Sequence, residues 1–171
     1  MPIKVSIVDD NEGLRSSLAT LIRRAPALRL LGEYPDAETA VKEIPAKVPD
    51  VVLMDINLPG MNGVDCVRQL KTALPKVQFL MLTVYEDSDS LFRSLKAGAS
   101  GYLLKRTASS RLLEAIEEVN TGGSPMTPQL ARRVVQFFNV PPQSREDSPL
   151  ARLTPGEREF RHDRRRRVEQ Q

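Results

Sequence analysis

The chain has 171 residues, 40% hydrophobic and 27% charged, with a formal net charge of +3. That length suits one well-buried domain of ordinary size plus an extension, and no apolar run approaches the ~20 residues that a membrane span needs. A single cysteine, Cys66, excludes an internal disulfide and any multi-thiolate metal site, and a single histidine, His162, excludes a histidine-cluster metal centre.

The start, Met1-Pro2-Ile3-Lys4-Val5, lacks a charged segment followed by a long apolar one, so a cytoplasmic protein is expected. Ile3 to Val8 reads as a strand that ends in Asp9-Asp10. Asn11 can cap a helix carrying Leu14, Leu18, Leu21 and Ile22, which Pro26 stops. Leu28 to Gly32 is a second strand, and Asp36 caps a helix with Ala37, Ala40, Val41 and Ile44 on one face, ended by Pro45 and Pro49. Asp50 to Met54 is a third strand. Its Val51-Val52-Leu53-Met54 run has no alternating polar position and predicts burial on both faces, with Asp55 at its exit and a tight Pro59-Gly60 and Asn62-Gly63 turn beyond.

Val64, Val67, Leu70 and Leu74 mark a third helix, stopped by Pro75, and Val77 to Leu82 a fourth strand ending at Thr83. Glu86-Asp87-Ser88-Asp89 opens a helix with charges suited to its N-terminal dipole, with Leu91, Phe92 and Leu95 as its apolar face. Gly101 to Leu104 is a short fifth strand ending at Lys105, and Thr107 caps a helix bearing Leu112, Leu113, Ile116 and Val119. This alternation predicts an α/β fold, a (βα)5 doubly wound parallel sheet with helices on both faces. Cys66 lies in a helical pattern and reads as a small apolar filler.

Charge and proline divide the chain near Gly122-Gly123-Ser124-Pro125. Residues 1–124 hold 15 Lys and Arg against 16 Asp and Glu, whereas residues 125–171 hold 10 against 6, so the basicity belongs to the tail. The expected organisation is a domain over 1–123, a helix and linker over 124–151, and a short basic segment over 152–171. Within the second part, Leu130, Val134, Phe137 and Phe138 share one face of an amphipathic helix over Thr127 to Phe138, and a Pro-, Ser- and charge-rich linker runs from Asn139 to Ala151.

In a parallel sheet the C-terminal strand ends share one edge, so Asp9, Asp10, Asp55, Thr83 and Lys105 are expected together. Clustered carboxylates repel unless a cation neutralises them, and oxygen ligands without His or Cys suit Mg²⁺. Lys105 adds a second positive charge, and the Thr83 hydroxyl can donate to a transferred oxygen. Together they predict phosphoryl transfer to a carboxylate, giving an aspartyl phosphate. No Gly-rich loop of the Walker or dinucleotide type supports a nucleotide site.

Asp9-Asp10, Met54-Asp55 with Leu58-Pro59-Gly60-Met61-Asn62-Gly63, Leu82-Thr83, and Ala97-Gly98-Ala99 leading into Gly101-Tyr102-Leu103-Leu104-Lys105 form an ordered set. Over residues 3–121 it resembles the receiver domain of two-component response regulators. The resemblance implies that Asp55 is the phosphoacceptor and that Asp10, with Asp9 beside it, and the main-chain carbonyl of Asn57 help to hold Mg²⁺. It implies that Thr83 binds the phosphoryl oxygen, that Lys105 pairs with it, and that Tyr102 turns inward when Thr83 moves. The donor would be a phosphohistidine on a sensor histidine kinase, and the protein a phosphoacceptor switch rather than a conventional enzyme. Arg106 departs from the proline that many receivers carry after the lysine, and the Gly-Tyr-Leu-Leu-Lys form is similar to the NarL/FixJ subfamily.

The helix face near Leu91, Phe92 and Leu95 and the last receiver helix are candidate surfaces for a partner or a homodimer, and core packing explains most of those residues equally well. Leu153-Thr154-Pro155-Gly156-Glu157-Arg158-Glu159 resembles the opening of the LuxR-type helix-turn-helix domain of that subfamily. A groove-reading domain needs several helices, so 152–171 is expected to be a truncated start of one, without stable order. The Arg164 to Arg167 run could touch phosphate backbones but reads as a solvated tail, which leaves DNA binding doubtful. The alternatives are thus a signalling receiver acting through protein contacts and a DNA-binding regulator of the LuxR type. A metal-dependent phosphatase fits less well, since Asn57 stands where a second Asp would be needed.

Overall fold

A computed structural model describes residues 1–139. The apolar runs form β1 (Ile3–Val8), β2 (Leu28–Tyr34), β3 (Val51–Asp55), β4 (Gln78–Thr83) and β5 (Gly101–Leu104). Between and after them lie α1 (Glu12–Arg24), α2 (Ala37–Lys47), α3 (Gly63–Ala73), α4 (Ser88–Ala97), α5 (Ser109–Asn120) and α6 (Pro128–Asn139). The strands pair in parallel in the order β2-β1-β3-β4-β5. The strand order reverses between β1 and β3, and such a reversal opens a crevice at the strands' C-terminal ends.

The core has two layers. On one side of the sheet Leu18 and Ile22 of α1 and Leu112, Ile116 and Val119 of α5 pack on Val5, Ile7, Leu53 and Leu80. On the other, Ala40 and Ile44 of α2, Val67 and Leu70 of α3 and Leu91 of α4 pack on Val8, Val52, Met54 and Phe79. Residues of β3 alternate between the layers and all five are buried, which is why the strand carries no polar side chain before Asp55. Cys66 is fully buried, as its apolar reading requires.

Several boundaries differ from the sequence reading. Pro45 does not end α2: the helix runs on to Lys47, because Ala40 and Ile44 hold it to the core and Pro45 costs one amide bond near the last turn. Its end is Val48, in the left-handed region at φ 45°. Gly32 does not end β2, which pairs with β1 as far as Val8 opposite Tyr34, with a register shift that skips Leu31. Thr107 does not cap α5: Ala108 occupies that position and no side chain caps the helix. Of the two readings of Leu91 and Phe92, core packing holds: both are buried, with Leu91 in the core and the Phe92 ring 5.3 Å from that of Phe137 on α6. The linker after Asn139 and the short helix-turn-helix opening over 152–171 lie outside the described residues. No helix among the described residues is long and apolar enough to cross a membrane.

Candidate phosphoacceptor site

The site is built by main-chain constraints first. Where β1 ends, the Asp9 amide donates to the Tyr34 carbonyl at 3.1 Å, and the Asp9 carboxylate accepts from the Asn11 amide at 2.9 Å. Asn11 in turn caps α1 by accepting from Leu14. Where β3 ends, the Asp55 carboxylate accepts from the Asn57 amide at 3.1 Å, and the Ile56 amide donates to the Leu82 carbonyl at 3.2 Å. The Gly63 amide closes the loop on the Ile56 carbonyl at 3.0 Å, and Asn62 caps α3. A Cβ at Gly63 would overlap the Asp55 carbonyl oxygen, so this position needs glycine for close approach. The Lys105 amide, just past β5, donates to the Thr83 carbonyl at 2.7 Å.

These constraints bring Asp9, Asp10 and Asp55 together with ligand oxygens within 4.8 Å of one another. Asp9 and Asp55 are buried and Asp10 is exposed, so the cluster has one open side. Lys105 Nζ sits between the buried pair, 3.2 Å from Asp9 Oδ2 and 3.1 Å from Asp55 Oδ1. One ammonium shared by two buried carboxylates does not balance them. Burial, and then repulsion from Asp9, push the Asp55 carboxyl up to about 6 despite Lys105 beside it. Burial acts to lower Lys105, but its bonds to Asp55 and Asp9 outweigh that and raise it. Asp55 Oδ2 is buried without a hydrogen-bond partner, an unmet acceptor in a cluster of negative charge. Hard oxygen donors with an unmet acceptor and one exposed member fit a divalent cation of the Mg²⁺ type.

Asp9, Asp10, Asp55 and Lys105 meet at one edge of the sheet. Thr83 is buried at the end of β4, where its hydroxyl accepts weakly from the Tyr85 amide at 3.4 Å. Tyr102 is buried, and its hydroxyl lies next to Thr83 and Ser90 without a well-aligned hydrogen bond. Burial, opposed in part by the neighbouring Thr83, pushes the Tyr102 hydroxyl up to about 12.

Two supporting residues escaped the sequence reading. Arg15 donates to the Asp9 carbonyl at 2.7 Å and lies 3.9 Å from Glu33. Glu38, in the first turn of α2, accepts from the Met61 amide at 2.7 Å and so ties α2 to the loop after Asp55. Both bonds join residues that only the tertiary fold brings together, and an acidic first turn or a helix arginine carries no local mark of them.

A doubly wound five-stranded sheet with an acidic pocket at its switch point, and a threonine and a lysine on the adjoining strand ends, is the architecture of a receiver domain. The family description "Response regulator receiver domain" matches residues 5–117, and the chain belongs to that family, the receivers of two-component systems. Its relatives are regulators rather than classical enzymes. The transcriptional regulatory protein DegU of Brevibacillus brevis is 34% identical over 136 residues, covering 80% of this chain and 58% of that protein. The DNA-binding transcriptional activator DevR/DosR of Mycobacterium tuberculosis is 32% identical over 156 residues, covering 91% of this chain and 71% of that protein. A solved LuxR-family response regulator from Aurantimonas sp. SI85-9A1 is 28% identical with a TM-score of 0.75, covering 82% of this chain and 100% of that one. The chain thus spans 58% of the length of the DegU relative and 60% of LnrK from Bacillus subtilis.

Proposed function

We propose that Asp55 accepts a phosphoryl group from a phosphohistidine of a sensor histidine kinase in a Mg²⁺-dependent reaction, and that this switches partner or self association. The observation that carries the reading is the buried, partnerless oxygen of Asp55 inside a three-carboxylate cluster served by one lysine. Asp9, Asp10, Asp55 and the main-chain carbonyl of Asn57 would hold the cation. When bound, it would neutralise the carboxylates and the incoming phosphoryl oxygens.

An Asp55 carboxylate oxygen forms the new P–O bond while the donor's P–N bond breaks and its electron pair stays on the imidazole. Lys105, already 3.1 Å from Asp55, follows the developing charge, and Thr83 donates its hydroxyl to a phosphoryl oxygen. Movement of Thr83 is read by Tyr102, buried beside it.

Residues 1–123 form this phosphoacceptor module and 124–151 a helix and linker. In a second reading, 152–171 opens a LuxR-type DNA-binding part, favoured by the DNA-binding relative and by Leu153-Thr154-Pro155-Gly156-Glu157. Gel shifts over a salt series test it, since only this reading expects one sequence to be preferred over the non-specific background.

For the phosphoacceptor, incubation with a small-molecule phosphodonor and Mg²⁺ is expected to label the chain, and Asp55→Asn or chelation to abolish the label. Full labelling of the Asp55→Asn protein would sink the assignment. Lys105→Ala is expected to keep metal binding and lose the conformational response.

A further inference from the structure

Helix α6 is held on the receiver by contacts that converge on the connection between Thr83 and α4. Leu130 is fully buried in the same cluster as Leu91 and Tyr102, and Val134 packs against that cluster. Ahead of the helix the Tyr102 amide donates to the Pro125 carbonyl at 2.9 Å, and Met126 forms a parallel bridge with Tyr102. The chain after α5 therefore continues the sheet at the outer side of β5. Two side-chain bonds then clip it down: Thr127 Oγ1 donates to Glu86 Oε1 at 3.0 Å, and Arg133 Nη1 donates to Ser88 Oγ at 3.0 Å. Glu86 and Ser88 belong to the segment that begins at Thr83. Tyr102, buried in the same cluster as Leu130 and with its hydroxyl next to Thr83 and Ser90, links Thr83 to α6.

We propose that the α4–β5 face is a docking surface for this chain's own helix α6, and that phosphorylation of Asp55 releases α6 from it. The inference rests on the phosphoacceptor reading above. When the Thr83 hydroxyl turns to a phosphoryl oxygen, it gives up the Tyr85 amide, and the segment from Val84 to Ser88 shifts with it. Glu86 and Ser88 then move out of reach of Thr127 and Arg133, and Tyr102 turns toward the space that Thr83 leaves, drawing on the Pro125–Met126 attachment. Loss of the two clips raises the opening of α6 by about tenfold or more, since each such bond contributes a modest net stabilisation. Release uncovers Phe92, whose ring the helix otherwise covers with Phe137.

Hydrogen exchange of the full chain, followed by mass spectrometry on residues 125–139, tests this, with Asp55 occupancy read from the intact mass of the same sample. Phosphodonor and Mg²⁺ are expected to speed exchange in α6 by about tenfold. Thr127→Ala with Arg133→Ala is expected to do so without phosphodonor while still accepting phosphate at Asp55. High Asp55 occupancy with unchanged α6 protection would overturn the proposal, as would unchanged protection in the double variant. No occupancy of Asp55 in the wild-type chain would instead overturn the phosphoacceptor reading, and release by phosphorylation with it.

Discussion

At the acidic edge the main chain is pinned from several sides while the charges are left short of partners; at the α4–α6 face the arrangement is the reverse. Asp9 and Asp55 are fixed by amides of Asn11 and Asn57, by strand pairing and by the close approach of Gly63, yet one lysine serves both carboxylates. Helix α6 buries Leu130 and packs Val134 and Phe137 against that face, and Pro125, Thr127 and Arg133 add hydrogen bonds to it. On the proposed function, the phosphoacceptor site needs geometry that survives a change of charge. The proposed α6 response needs contacts weak enough for that change to shift. The segment from Thr83 to Ser88 would separate these two requirements.

The rigidity of the edge is most sharply tested at Gly63. Because a Cβ there meets the Asp55 carbonyl oxygen, Gly63→Ala is expected to cost about 3 kcal/mol by overpacking against main chain that cannot yield. Gly122→Ala, at φ +95° with nothing within 4 Å, is expected to cost only about 1 kcal/mol, from its backbone conformation alone. Urea midpoints of the two variants check the contrast, and equal losses would mean that the edge relaxes as readily as a surface turn.

The electrical shortfall predicts a pH dependence. The folded protein holds the Asp55 proton up to about pH 6, whereas the ordinary value for the unfolded chain is 3.8. Between those values folding takes up a proton, so without metal stability falls as pH rises through this window, and the penalty is fully present above it. Asp55→Asn is expected to stabilise the metal-free protein at neutral pH by on the order of 2 kcal/mol and to flatten the profile. Urea denaturation at acid and neutral pH reads this directly. A wild-type profile that rises from pH 5 to 7 would show that Lys105 balances the pair after all.

Much of the edge was legible in the sequence because each of its residues follows an apolar run, and a parallel sheet gathers the ends of such runs whatever the strand order. The runs themselves were legible because burial on both faces removes polar alternation. What escaped depended on partners far along the chain. Pro45 breaks an isolated helix but not one whose Ala40 and Ile44 are buried, and Gly32 reads as a terminator until Ser6 pairs with it. The bonds of Arg15 to Asp9 and of Glu38 to Met61, and the clips on α6, join residues whose local contexts predict solvation.

Glu38 provides a milder probe of the pinned loop. Its carboxylate serves the Met61 amide across a separation of 23 residues, so Glu38→Ala is expected to cost about 1 kcal/mol of stability. The same change should weaken Mg²⁺ binding, since the loop from Ile56 to Gly63 carries the Asn57 carbonyl. Titration with Mg²⁺ separates the two effects. Lower stability with unchanged Mg²⁺ affinity would place Asn57 under the control of Asp55 and Gly63 alone.

The smallest expected effect concerns helix starts, which differ between the two regions. At the edge, Asn62 caps α3 through a bond from the Asp65 amide at 2.9 Å, so Asn62→Ala is expected to cost about 1 kcal/mol. Thr107 stands where the pattern suggests a cap for α5, but α5 starts from Ala108 with no side-chain bond. Thr107→Ala should therefore change stability by less than about 0.5 kcal/mol. Parallel urea titrations decide it: a loss at Thr107 as large as that at Asn62 would mean that α5 is capped in solution and that pinning extends beyond Lys105 into the last receiver helix.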